Sequence, residues 1–350
     1  MGSRWRAGRL LSYFPDPRLD GHELVPEMVD IRGEQFLMGT PPAFTAQMVE
    51  DVLKVELPHE VLWVRDYWRQ TLESETPQHT CAVGDMQISR YPITNAQYKI
   101  FLDDNPSKAV PLAVSERAKP YSWDQALRLY PKGRANQAVV LVTWDDCVEY
   151  CRWLSNRTGR NFRLPTEAEW EHAVRGTDGR SYPWSNEWDP KRTNTAEDGA
   201  KETVAIGCYP DGVSPFGVAD CAGHVWEWTS TAWGDFWQTP RYTFPYDSND
   251  GREDMSVRQW RLVRGGSWDD LAPFARCASR GPNLQDFCSH YIGFRIAEDI
   301  PRPMDIDADL GTDGQTSLLE EAKSARRCSL VRNQAARRAA SSMASRAASS

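Results

Sequence analysis

The sequence lacks the features of a membrane protein and of a small disulfide-bonded protein. No apolar run reaches the roughly 18 residues that a membrane-spanning helix needs, so we expect no membrane contact. The eight cysteines are scattered without a CxxC pair. That distribution is typical of free thiols in a reducing compartment, and it predicts a cytoplasmic protein without a disulfide framework.

Several catalytic motifs are missing as well. The chain has no GxSxG, no HExxH and no glycine-rich phosphate loop. The six histidines stand apart without HxxxH spacing, so a three-histidine iron site would need distant segments to converge. Acidic residues outnumber basic ones, 49 to 41, which argues against a main body that tracks nucleic-acid phosphates.

Composition divides the chain into three parts. Residues 1–23 form a leader of uncertain order, and residues 24–299 carry the patterns of a folded domain. Residues 300–350 are rich in Ala, Ser and Arg and predict a disordered tail. The basic residues of this tail are the one part of the chain suited to an acidic partner such as nucleic acid.

Helical patterns are confined to the first half of the domain. Thr166 and Glu169 form a capping box that predicts a helix start. Between positions 143 and 157 the apolar residues fall on one helix face, which includes Cys147 and Cys151. These two cysteines are either core residues or two metal ligands one turn apart.

The second half of the domain has no convincing helix. From Gly176 to Phe294 the pattern predicts only short strands, among them Val204–Ile206. Ordered chain with so little regular structure must be held by buried aromatics, side-chain hydrogen bonds or ions.

Eight motifs occur in a fixed order along the domain. They are MVDI with FLMG (28–39), YPITNAQY (91–98), RLPTEAEWE (163–171), YPW (182–184), GHVWEWT (223–229), VRGGSW (263–268), RCASR (276–280) and GFR (293–295). In this order they resemble the formylglycine-generating enzyme (sulfatase-modifying factor) family. The resemblance implies an α+β domain, a decorated C-type lectin fold with low regular secondary structure.

The resemblance also shows which chemistry is missing. Members that make formylglycine hold copper between two cysteine thiolates, which suit Cu(I). The matching positions here are Asp270 and Ala275, so no copper is expected. A structural disulfide of the family is absent too, because Val174 replaces the partner of Cys277. A relocated pair of Cys277 with Cys288 stays open as an alternative.

Calcium sites are a further implication of the resemblance. The first would use the side chains of Asn186 and Asp198, and the second those of Asp220 and Glu227. Backbone carbonyls at Gly223 and Val225 would complete the second site. Carboxylates and loop carbonyls are the ligands that Ca²⁺ takes. The alternative is that the aspartates simply cap turns.

Two functions follow from the resemblance. The first is a non-catalytic domain that binds an unknown protein or small ligand through the segment 268–291, as in variable proteins of diversity-generating retroelements. Apart from Trp268, the candidate residues of this surface are expected to be exposed. The alternative is a solvated loop without a binding role, in which Phe274, Phe287 and Tyr291 belong to the core. The candidates are Trp268, Asp269, Asp270, Phe274, Asn283, Gln285, Asp286, Phe287, His290 and Tyr291. The second is a metal- and oxygen-dependent protein-modifying oxidoreductase, with Asp270 and a histidine such as His290 around a harder metal.

Overall fold

Short helices and strands, separated by long ordered loops, make up the structure. The computed structural model describes residues 24–54, 63–197 and 199–300, so the leader, the tail and Asp198 lie outside the described residues. The helices are α1 (Pro42–Leu53), α2 (Trp63–Glu73), α3 (Asn95–Asp104), α4 (Trp144–Thr158) and α5 (Glu167–Arg175), with 3-10 turns at Glu116–Tyr121, Pro190–Arg192 and Ala272–Ala275. None of the described helices is both long and apolar enough to cross a membrane.

The strands form two four-stranded sheets and one two-stranded sheet. They are β1 (Met28–Ile31), β2 (Gln35–Met38), β3 (His79–Ala82), β4 (Met86–Ser89), β5 (Phe162–Arg163), β6 (Trp226–Gly234), β7 (Trp260–Arg264), β8 (Arg280–Leu284), β9 (Ile292–Phe294) and β10 (Ala297–Asp299). The strand orders are β1-β4-β10-β5, β2-β3 and β8-β7-β6-β9. Only the pairing of β6 with β9 is parallel among these described ladders.

Local sequence signals place the helices correctly. The Thr166 side chain accepts a hydrogen bond from the backbone of Glu169, whose own side chain accepts from the Thr166 backbone at 2.8 Å. Cys147 and Cys151 lie on the buried face of α4. Burial raises the pKa of both thiols well above the usual value, so they stay neutral and belong to the core rather than to a metal site.

Buried indoles hold the irregular half in place. The Trp144 Nε1 donates to the Thr229 carbonyl at 2.9 Å, and Trp228 Nε1 donates to the Val142 carbonyl at 3.2 Å. The first bond joins α4 to β6, and the second joins β6 to the loop that precedes α4. Both give a partner to a backbone carbonyl.

The predicted strand at Val204–Ile206 is wrong. This stretch contributes one isolated bridge, between Ala205 and Gln137. Gly207 turns the chain directly afterwards with φ of +74°, so too few extended residues remain to form a ladder.

Candidate functional site

An aromatic cleft of about 690 Å³ opens beside the predicted binding segment. It is bounded by residues of α2, β6 and β8 and by the chain that follows β7. Eight of its lining residues are aromatic: Tyr67, Trp68, Trp226, Trp237, Trp260, Phe274, Phe287 and Tyr291. A concave, mostly apolar surface of this size, with few polar groups, is typical of a small-molecule site.

Two consecutive glycines bring Asp270 to this cleft. Gly265 and Gly266 have φ of +97° and +73°, which L side chains rarely adopt. A Cβ on Gly266 would lie 2.5 Å from the carbonyl oxygen of Phe274. The turn therefore needs glycine at this position, and it ends β7 so that the next residues face the cleft.

The Asp270 carboxylate is held by three hydrogen bonds to one oxygen. Its Oδ2 accepts from Trp226 Nε1 at 2.8 Å, from the Ser267 backbone at 3.0 Å and from the Ser267 hydroxyl. Burial raises the pKa of Asp270 to about 6, although the hydrogen bonds from Ser267 and Trp226 oppose the shift. The group is thus an acid with a perturbed pKa in a cleft, which marks a candidate functional residue.

Two tyrosines in the cleft are electrostatically coupled to Asp270. Burial raises the pKa of Tyr67 far above its usual value, with smaller contributions from Tyr291 and Asp270. Burial likewise raises the pKa of Tyr291, and the Asp270 carboxylate adds to that shift. Both phenols therefore remain protonated near neutral pH, where they are hydrogen-bond donors rather than bases.

Six of the ten predicted binding residues line the cleft: Asp269, Asp270, Phe274, Asn283, Phe287 and Tyr291. Trp268 lies in a neighbouring pocket that also includes Asp269. Asp286 is exposed and pairs with Arg258 outside the cleft lining.

The predicted exposure is wrong for Gln285 and His290, which are only 5% exposed, whereas Phe274, at 4%, follows the alternative of a core residue. Phe274 packs against Trp68 with ring centroids 5.7 Å apart. The Gln285 side chain accepts from the backbone of Gln259 at 3.1 Å, so it bridges two segments. His290 lies among aromatic rings, 5.6 Å from that of Trp268.

One wall of the cleft was missing from the sequence prediction. Val64, Tyr67, Trp68 and Thr71 all come from α2. Trp226 belongs to one of the eight motifs. Trp237 and Trp260 lie outside these motifs, and in the sequence they stand out only as members of a tryptophan-rich region. Apolar periodicity can indicate a helix such as α2, but it does not show what the helix faces.

The positions of the family's copper ligands have no metal-binding pair. Ala275 is buried in a 3-10 helix and offers no ligand atom. Burial raises the pKa of the Cys277 thiol to about 12, and this residue packs with Cys221, Trp170 and Val174. Cys277 is therefore a neutral core residue, which removes support for a copper site relocated to Cys277 and Cys288.

The alternative metal arrangements are also unsupported. Across residues 24–54, 63–197 and 199–300, no three His, Cys, Asp or Glu side chains are grouped in a way that could hold a metal ion. The Nδ1 of His290 lies 3.4 Å from the Ser289 hydroxyl, and its Nε2 is buried without a partner.

The predicted calcium ligands are only partly suited to calcium. Both Glu227 oxygens are taken by Arg295, with Nη2 at 2.7 Å and Nε at 2.5 Å, and Trp170 Nε1 donates to one of them at 2.6 Å. A cation held against Arg295 would be repelled, so Glu227 does not fit a calcium ligand. Asp220 fits better, because its Oδ1 is buried without a hydrogen-bond partner.

Of the remaining predicted side-chain ligands, Asn186 is engaged locally and Asp198 lies outside the described residues. The Asn186 Oδ1 accepts from the Ser181 backbone at 2.9 Å. Gly223 has φ of +66° and Val225 is buried. Asp198 lies outside the described residues. Of the two predicted side-chain ligands of the first site, the structure therefore describes only Asn186.

The fold and the cleft define the class of protein: an α+β domain of the decorated C-type lectin type, with little regular secondary structure. The chain belongs to the sulfatase-modifying factor family. A family model described as "Sulfatase-modifying factor enzyme 1-like domain" matches residues 13–300, which confirms the resemblance inferred from the motifs.

Similar proteins include one that is named as an enzyme and one that is named as inactive. The formylglycine-generating enzyme of Streptomyces coelicolor is 31% identical over 273 residues, which cover 65% of this chain and 82% of that protein. The mouse protein named inactive C-alpha-formylglycine-generating enzyme 2 is 28% identical, covering 87% and 96% of the two chains. The solved structure of Treponema denticola variable protein 1 has a TM-score of 0.53 at 18% identity, covering 78% and 95%. That likeness confirms the fold.

Proposed function

We propose that this domain is a non-catalytic binding module whose site is the aromatic cleft beside Asp270. The observation that carries the proposal is the position of the cleft. It opens at Asp270, one of the two positions where the resemblance places copper-binding thiolates. The other position, Ala275, directly follows the lining residue Phe274 and is itself buried. The cleft thus lies where the resemblance places a metal ligand, and this chain has a carboxylate there.

The aromatic walls of the cleft are held by contacts with neighbouring side chains. The Trp68 ring packs on Phe274 with centroids 5.7 Å apart, and Tyr67 packs on Trp237 at 5.9 Å. The Trp226 indole is fixed by its hydrogen bond to Asp270. Aromatic side chains with few rotatable bonds lose little conformational entropy on binding, so this lining supports recognition.

The experiment compares fragment binding with a variant that fills the cleft. Ligand-observed NMR with a set of neutral and charged fluorinated aromatic fragments is run on the wild type, Val64→Trp and Arg69→Trp. Val64 lines the cleft, whereas Arg69 is an exposed residue of the same helix. We expect fragments to bind the wild type and R69W, and to bind V64W at least tenfold more weakly.

Two results would overturn the binding function. One is the absence of any fragment binding to the folded wild type. The other is V64W binding as strongly as R69W, because the fragments would then occupy another surface. Equal melting temperatures of the two variants show that both are folded.

We also propose calcium as a structural ion at Asp220. The support is the buried Oδ1 of Asp220, which has no hydrogen-bond partner, while Oδ2 accepts from the Gly207 backbone at 2.6 Å. An unsatisfied buried carboxylate oxygen is costly, and an ion with loop carbonyls would remove that cost. Glu227 is left out of this ligand set.

A further inference from the structure

We infer that the aromatic cleft selects an organic cation, namely an ammonium group carried on an apolar body. The inference rests on the proposed binding function and specifies the chemistry of the ligand. It follows from the balance of charge in the cleft, from the unused oxygen of Asp270 and from the aromatic walls.

The charges in the cleft leave one carboxylate without a cation. Asp269 pairs with Arg117 at 2.6 Å, so these two lining residues neutralise each other. Within the described residues, no basic side chain forms a salt bridge with Asp270. A bound cation would supply the missing counter-charge, whereas an anion would meet a carboxylate of the same sign.

The geometry of Asp270 leaves an acceptor for that cation. All three hydrogen bonds to this carboxylate go to Oδ2. The other oxygen, Oδ1, accepts none from the described residues, so it is free to face a positive charge in an ion pair, with or without an N–H donor. Burial already disfavours the charged form of Asp270, which raises its pKa to about 6. A neutral ligand would leave that cost in place, whereas a cation would offset it.

The aromatic walls favour a positive charge over a neutral group of equal shape. The face of an aromatic ring is the negative end of its quadrupole, and cages of such rings bind quaternary ammonium groups. Here four indoles, of Trp68, Trp226, Trp237 and Trp260, contribute to the same cleft as Asp270. Indole is the strongest of the cation-binding rings.

The size of the cleft argues for an apolar body behind the charge. A volume of about 690 Å³ is within the range of sites for drug-sized ligands and exceeds a single ammonium group. Leu284 and Phe287 line the cleft and remain 44% and 36% exposed. Exposed apolar groups on a cleft wall gain by being covered, so they would pack against the uncharged part of the ligand.

A pair of probes with the same shape isolates the charge. Choline and 3,3-dimethylbutan-1-ol differ only by nitrogen in place of carbon at the centre of the branched head. Their dissociation constants are measured by ligand-observed NMR on the wild type. We expect choline to bind at least tenfold more tightly than the neutral alcohol. Both probes are measured on the same wild-type protein, so this comparison does not depend on the folding of a variant.

Two variants then assign the preference to one carboxylate. In Asp270→Asn we expect the two probes to bind within about twofold of each other. Asp286→Asn is the matched control, because Asp286 lies in the same segment but is exposed and outside the cleft lining. It should keep the wild-type preference for choline.

The outcomes separate the ligand class from the binding function. Equal binding of the two probes to the wild type, with both lost in V64W, would overturn the cation inference and keep the cleft as a binding site. Binding of the fragments without binding of choline would likewise overturn the cation inference and keep the cleft as a binding site. If neither probe nor any fragment binds, the proposed function itself fails.

Discussion

The Trp226 indole donates a 2.8 Å hydrogen bond to Oδ2 of Asp270. This contact joins strand β6 to the turn that follows β7. It fixes the orientation of the carboxylate. Its energetic cost leads to the first prediction.

Asp270→Asn should raise stability at neutral pH. The folded-state pKa of about 6 lies above the ordinary value of 3.8, so the folded protein holds this proton more tightly than the unfolded chain. The stability from this group is complete below about pH 4 and is lost as the pH rises through about 6. The asparagine removes the loss, by about 1–2 kcal/mol at pH 7.5.

Urea denaturation of the wild type and D270N at pH 4 and pH 7.5 tests this expectation. The groups facing Asp270 are Asp269, which is paired with Arg117, and the phenols of Tyr67 and Tyr291. These groups are common to both proteins, so the difference in pH dependence reports on Asp270. A variant that is less stable than the wild type at pH 7.5 would show that the carboxylate stabilises the fold.

Glu227→Gln should be strongly destabilising. Arg295 is fully buried, and Glu227 is the carboxylate that takes its Nε and Nη2. Removing the charge leaves a buried guanidinium uncompensated, at a cost of about 3–5 kcal/mol. Asp103→Asn is the control, since Asp103 pairs with Lys99 at the surface and should cost under about 1 kcal/mol. Similar losses in the two variants, measured by urea denaturation, would contradict the role of the buried pair.

Calcium should raise the melting temperature if Asp220 holds an ion. At a calcium concentration of about 100 times Kd the gain is about 2.7 kcal/mol. Differential scanning fluorimetry in excess calcium and in EGTA measures the shift, and Asp220→Asn should abolish it. Identical melting temperatures in the two buffers would show that this domain does not bind calcium at Asp220.

Copper should be substoichiometric in the purified wild type, and a cysteine-containing client peptide should stay unoxidised. Ala275 has no ligand atom, and Asp270 is a hard donor that suits Cu(I) poorly. The double variant Asp270→Cys/Ala275→Cys restores the two thiols of the family pattern and is expected to gain Cu(I). Elemental analysis and oxygen consumption measure both proteins. Stoichiometric copper or iron in the wild type, with oxygen uptake on the peptide, would instead favour the oxidoreductase alternative.

Local features of the structure were predictable from the sequence. The capping box of Thr166 and Glu169 depends only on residues within one helical turn. The Gly265-Gly266 turn depends on backbone conformations that residues other than glycine rarely adopt. Ordered motifs of this kind identified the family, and they drew attention to Asp270, which lines the aromatic cleft.

The opposite wall of the cleft was not predictable in the same way. Its residues come from α2, and Ser74, which directly follows this helix, accepts a hydrogen bond at its carbonyl from Arg280 Nη1 of β8, across 206 residues. Periodicity shows that a helix has an apolar face but does not name its neighbour. The burial of Gln285 and His290 was missed for the same reason, because polar residues in a loop become buried only through tertiary partners.

The strand order of the first sheet has a consequence for biosynthesis. Strand β10 lies between β4 and β5, so Ala297 pairs with Ile88 on one side and with Arg163 on the other. During translation β4 and β5 emerge long before the strand that joins them. The growing chain must keep two open strand edges apart until residues 297–299 are released. This domain is therefore expected to complete its first sheet only after residues 297–299 have been synthesised.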